Sequence, residues 1–460
     1  MRKRFTWLAA IAALIFVGAL VACSTKYSPS NNGLVVVSTQ GDEVMETFTL
    51  DLGNGHVSQI NNVNGPPITG IGTTVVLNPA GTFAFVATQV ACTPNPPLPA
   101  TASLTGAVQG AILTYPVSSD GKLSAAGAPT YLPGNPAYGG FITNSGFPTC
   151  GLDDSTNPNA GNAPVGMVMD SAGKYLFVAT APESATLTTN LNATPTSTVA
   201  TLNSQGIVVY AIGGDASLTQ VPGSPFALPP QVGGQPASPS ALAVTPTLYP
   251  AAFAPCSATT PPTTENLYIT DSLNYVVYNA KVSSSGVLSF VSQVGVPTGT
   301  VPSGVTVDPC NRFVYVSNGQ PNNSVSAYTI CSQITLPTCT APDFSLLPVP
   351  GSPFVAGNAP GPLVVDPFGA HLYVVDTGQN AISAYTISST TGSLIPLTPA
   401  TTTTNSLPTS IAIRSDGAWV FVTNFNSANV SQYALTPSSG GLTPQPPIAT
   451  DNLPWGLAVK

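Results

Sequence analysis

Beyond residue 32 the apolar positions recur with the period of a strand, and no stretch carries the period of a helix. One signal appears seven times, an apolar and aromatic run that ends in a small polar residue. It spans 34–39, 83–88, 175–180, 267–271, 313–318, 372–376 and 419–424, centred on Val36, Phe85, Phe177, Tyr268, Tyr315, Tyr373 and Phe421. A second signal follows each copy: an apolar residue, two spacers, then Tyr or Phe. Its copies are Met45/Phe48, Ile112/Tyr115, Ile207/Tyr210, Tyr275/Tyr278, Val325/Tyr328, Ile382/Tyr385 and Val430/Tyr433. A third signal precedes most copies, a short alternating strand such as 302–308, 360–366 or 408–413. Asn78-Pro79, Asp308-Pro309 and Asp366-Pro367 separate it from the next run. Asn or Asp ahead of Pro starts a turn through its side-chain acceptor, and Asp308 and Asp366 are read as turn initiators. A weaker fourth strand follows turns such as Asp120-Gly121-Lys122 and Ser285-Gly286.

The unit is therefore four short strands rich in Val, Tyr, Phe and Thr, bounded by Gly, Pro and Asn. One such sheet cannot bury both its faces, whereas sheets set radially can. The fold expected is all-β, a seven-bladed β-propeller of four-stranded antiparallel blades. A β-helix, the main alternative, has rungs much shorter than these units. The first copy lacks its leading strand, and the chain finishes on one, Pro454-Trp-Gly-Leu-Ala-Val-Lys460. The C-terminal strand is expected to join blade one and close the ring, leaving no open sheet edge. Two intervals between copies are long, and 89–109, 134–163, 181–204 and 247–265 are read as insertions rich in Pro, Thr, Asn and Gly.

The N-terminus has a different pattern. Arg2, Lys3 and Arg4 precede an apolar run over 7–22 that ends Leu20-Val21-Ala22-Cys23. This is the order of a secretory signal, and the run is short for a membrane span of about 20 apolar residues. The expected organisation is a signal peptide over 1–22, a lipidated Cys23 with a polar tether to residue 32, and a propeller over 33–460. Leu20-Val21-Ala22-Cys23 resembles the bacterial lipobox, which implies lipid on Cys23, a membrane partner through it and a place in the cell envelope. Ser24 in the next position implies the outer membrane, on its periplasmic or exposed side.

Charged residues are 6% of the chain, against about 25% in ordinary soluble domains. Without the three basic residues of the signal, seven Lys and Arg face eighteen Asp and Glu. That supply builds no large basic patch, so nucleic acid is not an expected partner. The surface must be covered by hydroxyl and amide side chains, Gly and Pro. Seven cysteines leave six once Cys23 carries lipid, a number that fits disulfides in an exported protein. Blade topology puts Cys92 and Cys150 on one face, called the top, and Cys256, Cys310, Cys331 and Cys339 on the other. The expected bridges are Cys92–Cys150, Cys256–Cys310 and Cys331–Cys339, with regrouping among the last four left open.

Phe313-Val-Tyr-Val-Ser-Asn318 and Trp419-Val-Phe-Val-Thr-Asn424 resemble the YVTN-type repeats of lactonase-like propellers. So does the Pro-Gly-Ser-Pro-Phe linker at 222–226 and 350–354. The likeness runs over about 33–460 and is strongest from Pro302 onward. It implies the propeller fold and, among members such as 6-phosphogluconolactonase-like and muconate-lactonizing proteins, lactone chemistry on anionic substrates. The cations such chemistry calls for are scarce. Lys122, Lys174 and Arg312 lie in or beside turns, Lys281 ends a strand, Lys460 is the terminus and Arg414 sits at a turn. His56 and His371 are read as solvated or structural, and no catalytic set of His, Asp and Ser can be assembled. No cofactor is expected, and neither a phosphate loop nor zinc spacing is present.

One grouping is a ligand-binding expectation. Asp271, Asn318, Asp376 and Asn424 end second strands, with Asp42 and Glu43 near them in blade one, and topology sets these loops around the top of the channel. Oxygen groups of this kind suit calcium or a polar ligand such as a glycan, or else only shape tight turns. The function expected is a surface- or periplasm-exposed scaffold that binds a protein or polysaccharide on its top face. The alternative is a lactone hydrolase, drawn from the resemblance.

Overall fold

The computed structural model describes residues 32–40, 44–51, 56–64, 74–91, 93–95, 102–105, 108–132, 149–153, 157–158, 163–181, 184–189, 196–201, 206–231, 237–245, 265–331, 339 and 343–460. The chain is a seven-bladed β-propeller of four-stranded antiparallel blades. Blade four shows the plan. Its inner strand is Pro239–Val244, its second Glu265–Asp271, its third Val276–Val282 and its outer Leu288–Phe290. Blade one is closed as expected: Pro454–Val459 is its inner strand and pairs with Asn32–Thr39. Leu34 and Lys460 exchange both backbone hydrogen bonds at 2.9 Å, which locks the last strand onto the first described one.

Period-two alternation gives each sheet two apolar faces, and the core lies between blades. Seven clusters result, each spanning two neighbours. Tyr373 and Val375 of blade six, for instance, meet Val420 and Val422 of blade seven. Both faces of every second strand are consumed in this way, so those strands read as continuous apolar runs.

The turn readings of Asp308 and Asp366 hold. Asp308 Oδ1 accepts from the Phe313 backbone at 2.9 Å, and Asp366 Oδ1 accepts from Ala370 at 2.9 Å. The Pro-Gly-Ser-Pro-Phe linker also has a mechanical reason. Gly223 and Gly351, at φ 86 and 88, kink the outer strand. Ser224 Oγ and Ser352 Oγ then accept from Val209 and Ala327 at 2.8 and 2.9 Å, in place of the lost backbone acceptor.

One reading is corrected. In blade four the pair Tyr275/Tyr278 is displaced by two residues. Tyr278 faces Ile269, in the register where Ser326 faces Val316 and Ser383 faces Val374. Tyr275 is 42% exposed with φ 57. A shift of two preserves the side-chain face, so alternation could not detect it. The insertions carry strands of their own. Ala102–Thr105, Ser184–Thr189 and Thr196–Thr201 form one added sheet, and Thr93–Asn95, Thr149–Asp153 and Asn157–Pro158 another. All six arise from top-face connections of blades two and three.

Cys331 and Cys339 are joined by a disulfide, Cα to Cα 5.5 Å, in the bottom connection of blade five. Cys310 is also disulfide-bonded. Its expected partner Cys256, together with Cys92 and the side chain of Cys150, lies outside the described residues. So do Cys23, the signal and tether, Asp42 and Glu43.

Candidate functional site: the top mouth of the channel

The inner strands line the central channel, and six of the seven begin at the top face with an irregularity that the blade-two strand Thr74–Leu77 lacks. Val301, Ala359, Leu407 and Leu453 take left-handed φ of 49, 52, 55 and 57 immediately before the Pro that opens the strand. Branched residues rarely adopt this conformation, and such strain gathers where a structure shapes a functional rim. A bulge follows. The register slips between Pro164/Gly166, Pro239/Ala241, Pro302/Gly304, Pro360/Leu363 and Pro408/Ser410, and again where Pro454 meets Thr39. Bulges of this kind re-aim side chains at barrel rims and binding sites. The residues left over are Val165, Ser240, Ser303, Gly361-Pro362, Thr409 and Trp455-Gly456.

Hydroxyls tie these bulges blade to blade. Ser240 Oγ donates to Pro302 O at 2.6 Å, and Ser303 Oγ donates to Pro360 O at 2.7 Å. Thr377 Oγ1 donates to Pro408 O and Thr423 Oγ1 to Trp455 O, both at 3.0 Å. The mouth is thus a rigid, hydroxyl-rich ring.

The four expected ligand residues do end second strands at this level, but the structure does not bring them together around the opening. Asp271, Asn318, Asp376 and Asn424 are each 0% exposed and bonded within their own blades. Asp271 Oδ1 accepts from the backbones of Ser238, Leu273 and Asn274, each at 3.1 Å. Asn318 donates to Ser326 at 3.0 Å and accepts from Gly299 at 3.0 Å. Asn424 donates to Asn429 and Ser431 at 2.8 and 2.9 Å. Asp376 Oδ2 accepts from Ser383 at 2.6 Å and Gln379 at 3.2 Å. They clamp the loop between second and third strands, and that is what the recurrent polar residue is for. Among the described residues no three His, Cys, Asp or Glu side chains converge as a metal site. Asp376 is the unusual member. Burial pushes its carboxyl up to about 6, against the pull of Ser383, Gly357 and Gln379, and its Oδ1 has no partner.

The described cations all lie at the opposite end of the blades. Lys122, Lys174, Lys281, Arg312, Arg414 and Lys460 sit in, or lead into, bottom-face turns. Three of them staple neighbours: Lys174 Nζ donates to Ser284 O at 2.8 Å, Arg312 to Gly369 O at 3.2 Å, and Lys460 to Ala80 O. Arg312 also pairs with the fully buried Asp308 at 2.8 Å. His371 is buried at the bottom, with Nδ1 2.8 Å from Asp366. Bottom-face Glu265, lodged near Asp170, is raised to about 8 by burial first and by that second carboxylate next. The top face therefore has no described cation, whereas Glu46, Asp271, Asp376 and Asp451 lie at that end of the blades.

Residues 342–451 match the family described as "Lactonase, 7-bladed beta-propeller". Among solved structures, a putative 6-phosphogluconolactonase of Bacteroides fragilis superposes with TM-score 0.58 at 13% identity, covering 95% of this chain and 99% of its own. By fold the chain is a seven-bladed propeller like these. A Bacteroides uniformis putative 6-phosphogluconolactonase gives TM-score 0.59 at 13% identity, covering 94% of this chain and 100% of its own. The periplasmic gluconolactonase of Pseudomonas aeruginosa gives 0.57 at 15% identity, covering 93% and 98%. No curated protein sequence matches. In this propeller the bulged mouth residues are what sequence reading missed. A Pro at the head of six of the seven leading strands, followed by a small residue in most of them, is the signal that could have found them.

Proposed function

We propose that this lactonase-like propeller is a lipid-anchored scaffold of the cell envelope, held through Cys23, that binds an uncharged polyhydroxylated ligand at its top mouth. The observation that supports this most is the segregation of charge. Every described Lys and Arg lies at the bottom face, so a phosphate or carboxylate at the mouth would meet no described countercharge. A sugar unit asks instead for hydroxyl and amide partners, and the ring of Ser240, Ser303, Thr377 and Thr409 is of that kind. The polysaccharide partner is favoured over a protein by the same neutrality.

Lactone hydrolysis is the second reading, favoured by the family match over 342–451 and by the raised carboxyl of Asp376 inside it. On the same charge argument its substrate is an unphosphorylated sugar lactone. A pH-stat assay with glucono-δ-lactone and its 6-phosphate, beside a glycan array, separates these readings. Array binding without turnover supports the scaffold, and turnover of the neutral lactone supports the hydrolase. Preference for the phosphorylated lactone, or for any anionic ligand, refutes the common premise.

A further inference from the structure

Of the residues placed at the bulges, five blades supply small ones: Val165, Ser240, Ser303, Gly361-Pro362 and Thr409. Blade one supplies Trp455. Trp455 is half-buried and belongs to none of the seven apolar clusters, whereas Trp419 is packed against the cluster between blades seven and one. Its position is nonetheless fixed. Phe425, in a short 3-10 turn, meets the indole edge-on with ring centres 5.2 Å apart and planes at 88°. The Phe425 N–H is held by Leu407 O at 2.9 Å, and the Trp455 carbonyl accepts from Thr423 at 3.0 Å. An indole outside the apolar clusters, partly exposed and braced from the side, is held in one orientation without serving the core. The turn that carries Phe425 and the loop it meets are rich in amides and hydroxyls, with Asn405 donating to Asn429 at 3.0 Å and Ser427 Oγ accepting from Ser406 at 2.9 Å.

We propose that Trp455 is the platform on which the apolar C–H face of a pyranose or lactone ring stacks at the mouth, Phe425 holding it in place. This rests on the neutral-ligand reading above and gives that site its specificity-determining residue. A flat six-membered ring offers one face of C–H groups to the indole and an edge of hydroxyls to the surrounding amides, while the small residues of the other blades leave room for it. The ring can be a free sugar lactone or one unit of a polymer, since the stacking chemistry is shared.

The chain has three Trp, so the full chain carrying Trp7→Phe and Trp419→Phe reports Trp455 emission alone. Glucono-δ-lactone and cello-, malto- and chito-oligosaccharides are titrated by fluorescence, with calorimetry in parallel. Saturable change of Trp455 emission, at the midpoint that calorimetry gives, is expected with at least one of them. Response to the lactone identifies a free ring, and response to oligosaccharides alone identifies a polymer. Trp455→Ala should weaken that binding at least tenfold and Trp455→Phe no more than a few fold. If Trp455→Ala misfolds, the emission titration still decides, because it leaves Trp455 in place. Calorimetric binding with unchanged Trp455 emission, or with unchanged affinity in a folded Trp455→Ala, overturns the platform and leaves the neutral-ligand site standing. Absence of calorimetric binding to every probe overturns both.

Discussion

Asp376→Asn isolates the cost of the carboxyl that the blade-six clamp holds. Asp376 is 0% exposed, and its pKa rises from 3.8 to about 6, chiefly through burial. Below pH 3.8 the folded and unfolded chains both carry the proton, and the group adds no penalty. As pH climbs from 3.8, the unfolded chain ionises while the folded chain keeps its proton to about 6. The folded state binds more protons across that window, so stability falls through it and levels off above. The full penalty is roughly 3 kcal/mol from the size of the shift. Asparagine already occupies this position in the flanking blades, where Asn318 and Asn424 donate to Ser326 and Ser431 at 3.0 and 2.9 Å. Ser383 can accept the same bond. Asp376→Asn is therefore expected to be more stable than the parent by about 1–3 kcal/mol at pH 7.5, with the two converging near pH 4. Urea unfolding at both pH values, with the slopes compared, measures this. A variant less stable at pH 7.5, or a difference that does not change with pH, refutes the account.

Arg312→Ala should cost about 3–5 kcal/mol, because Asp308 is left as a buried carboxylate without its guanidinium; an unchanged melting temperature would mean the staple is idle. Cys331→Ser opens a loop whose ends are 8 residues apart, with an expected loss of about 2–3 kcal/mol by the chain-entropy estimate, read from the urea midpoint under oxidising conditions. Removing 454–460 strips Asn32–Thr39 of its inner partner and the core of Leu457 and Ala458. The truncated chain should aggregate through the bared edge, and a monomer with full strand content by chromatography and circular dichroism would contradict ring closure.

The blade count and the closure were legible because both rest on local pattern. Seven apolar runs with matched Tyr or Phe partners demand seven sheets, and a leading strand found only at the far end must come back to the first. The turn role of Asp308 and Asp366 was legible for the same reason, since their acceptors serve N–H groups four or five residues on. The mouth was not. Whether Asp271, Asn318, Asp376 and Asn424 face an opening or a loop depends on what lies across the blade, and all four proved buried. The two-residue displacement of Tyr278 keeps its side-chain face, so alternation is blind to it. The bulges that place Ser240, Thr409 and Trp455 around the channel exist only as a mismatch between two paired strands. The gathering of every described cation at one end follows from connectivity, since Lys174, Arg312 and Arg414 lie between inner and second strands, Lys122 and Lys281 at third-to-outer connections and Lys460 at the end of an inner strand, all of them at the bottom. The sequence by itself determined what repeats, because periodicity is a property of neighbours along the chain. Only the tertiary structure decided what converges, because register, burial and facing are properties of neighbours across it.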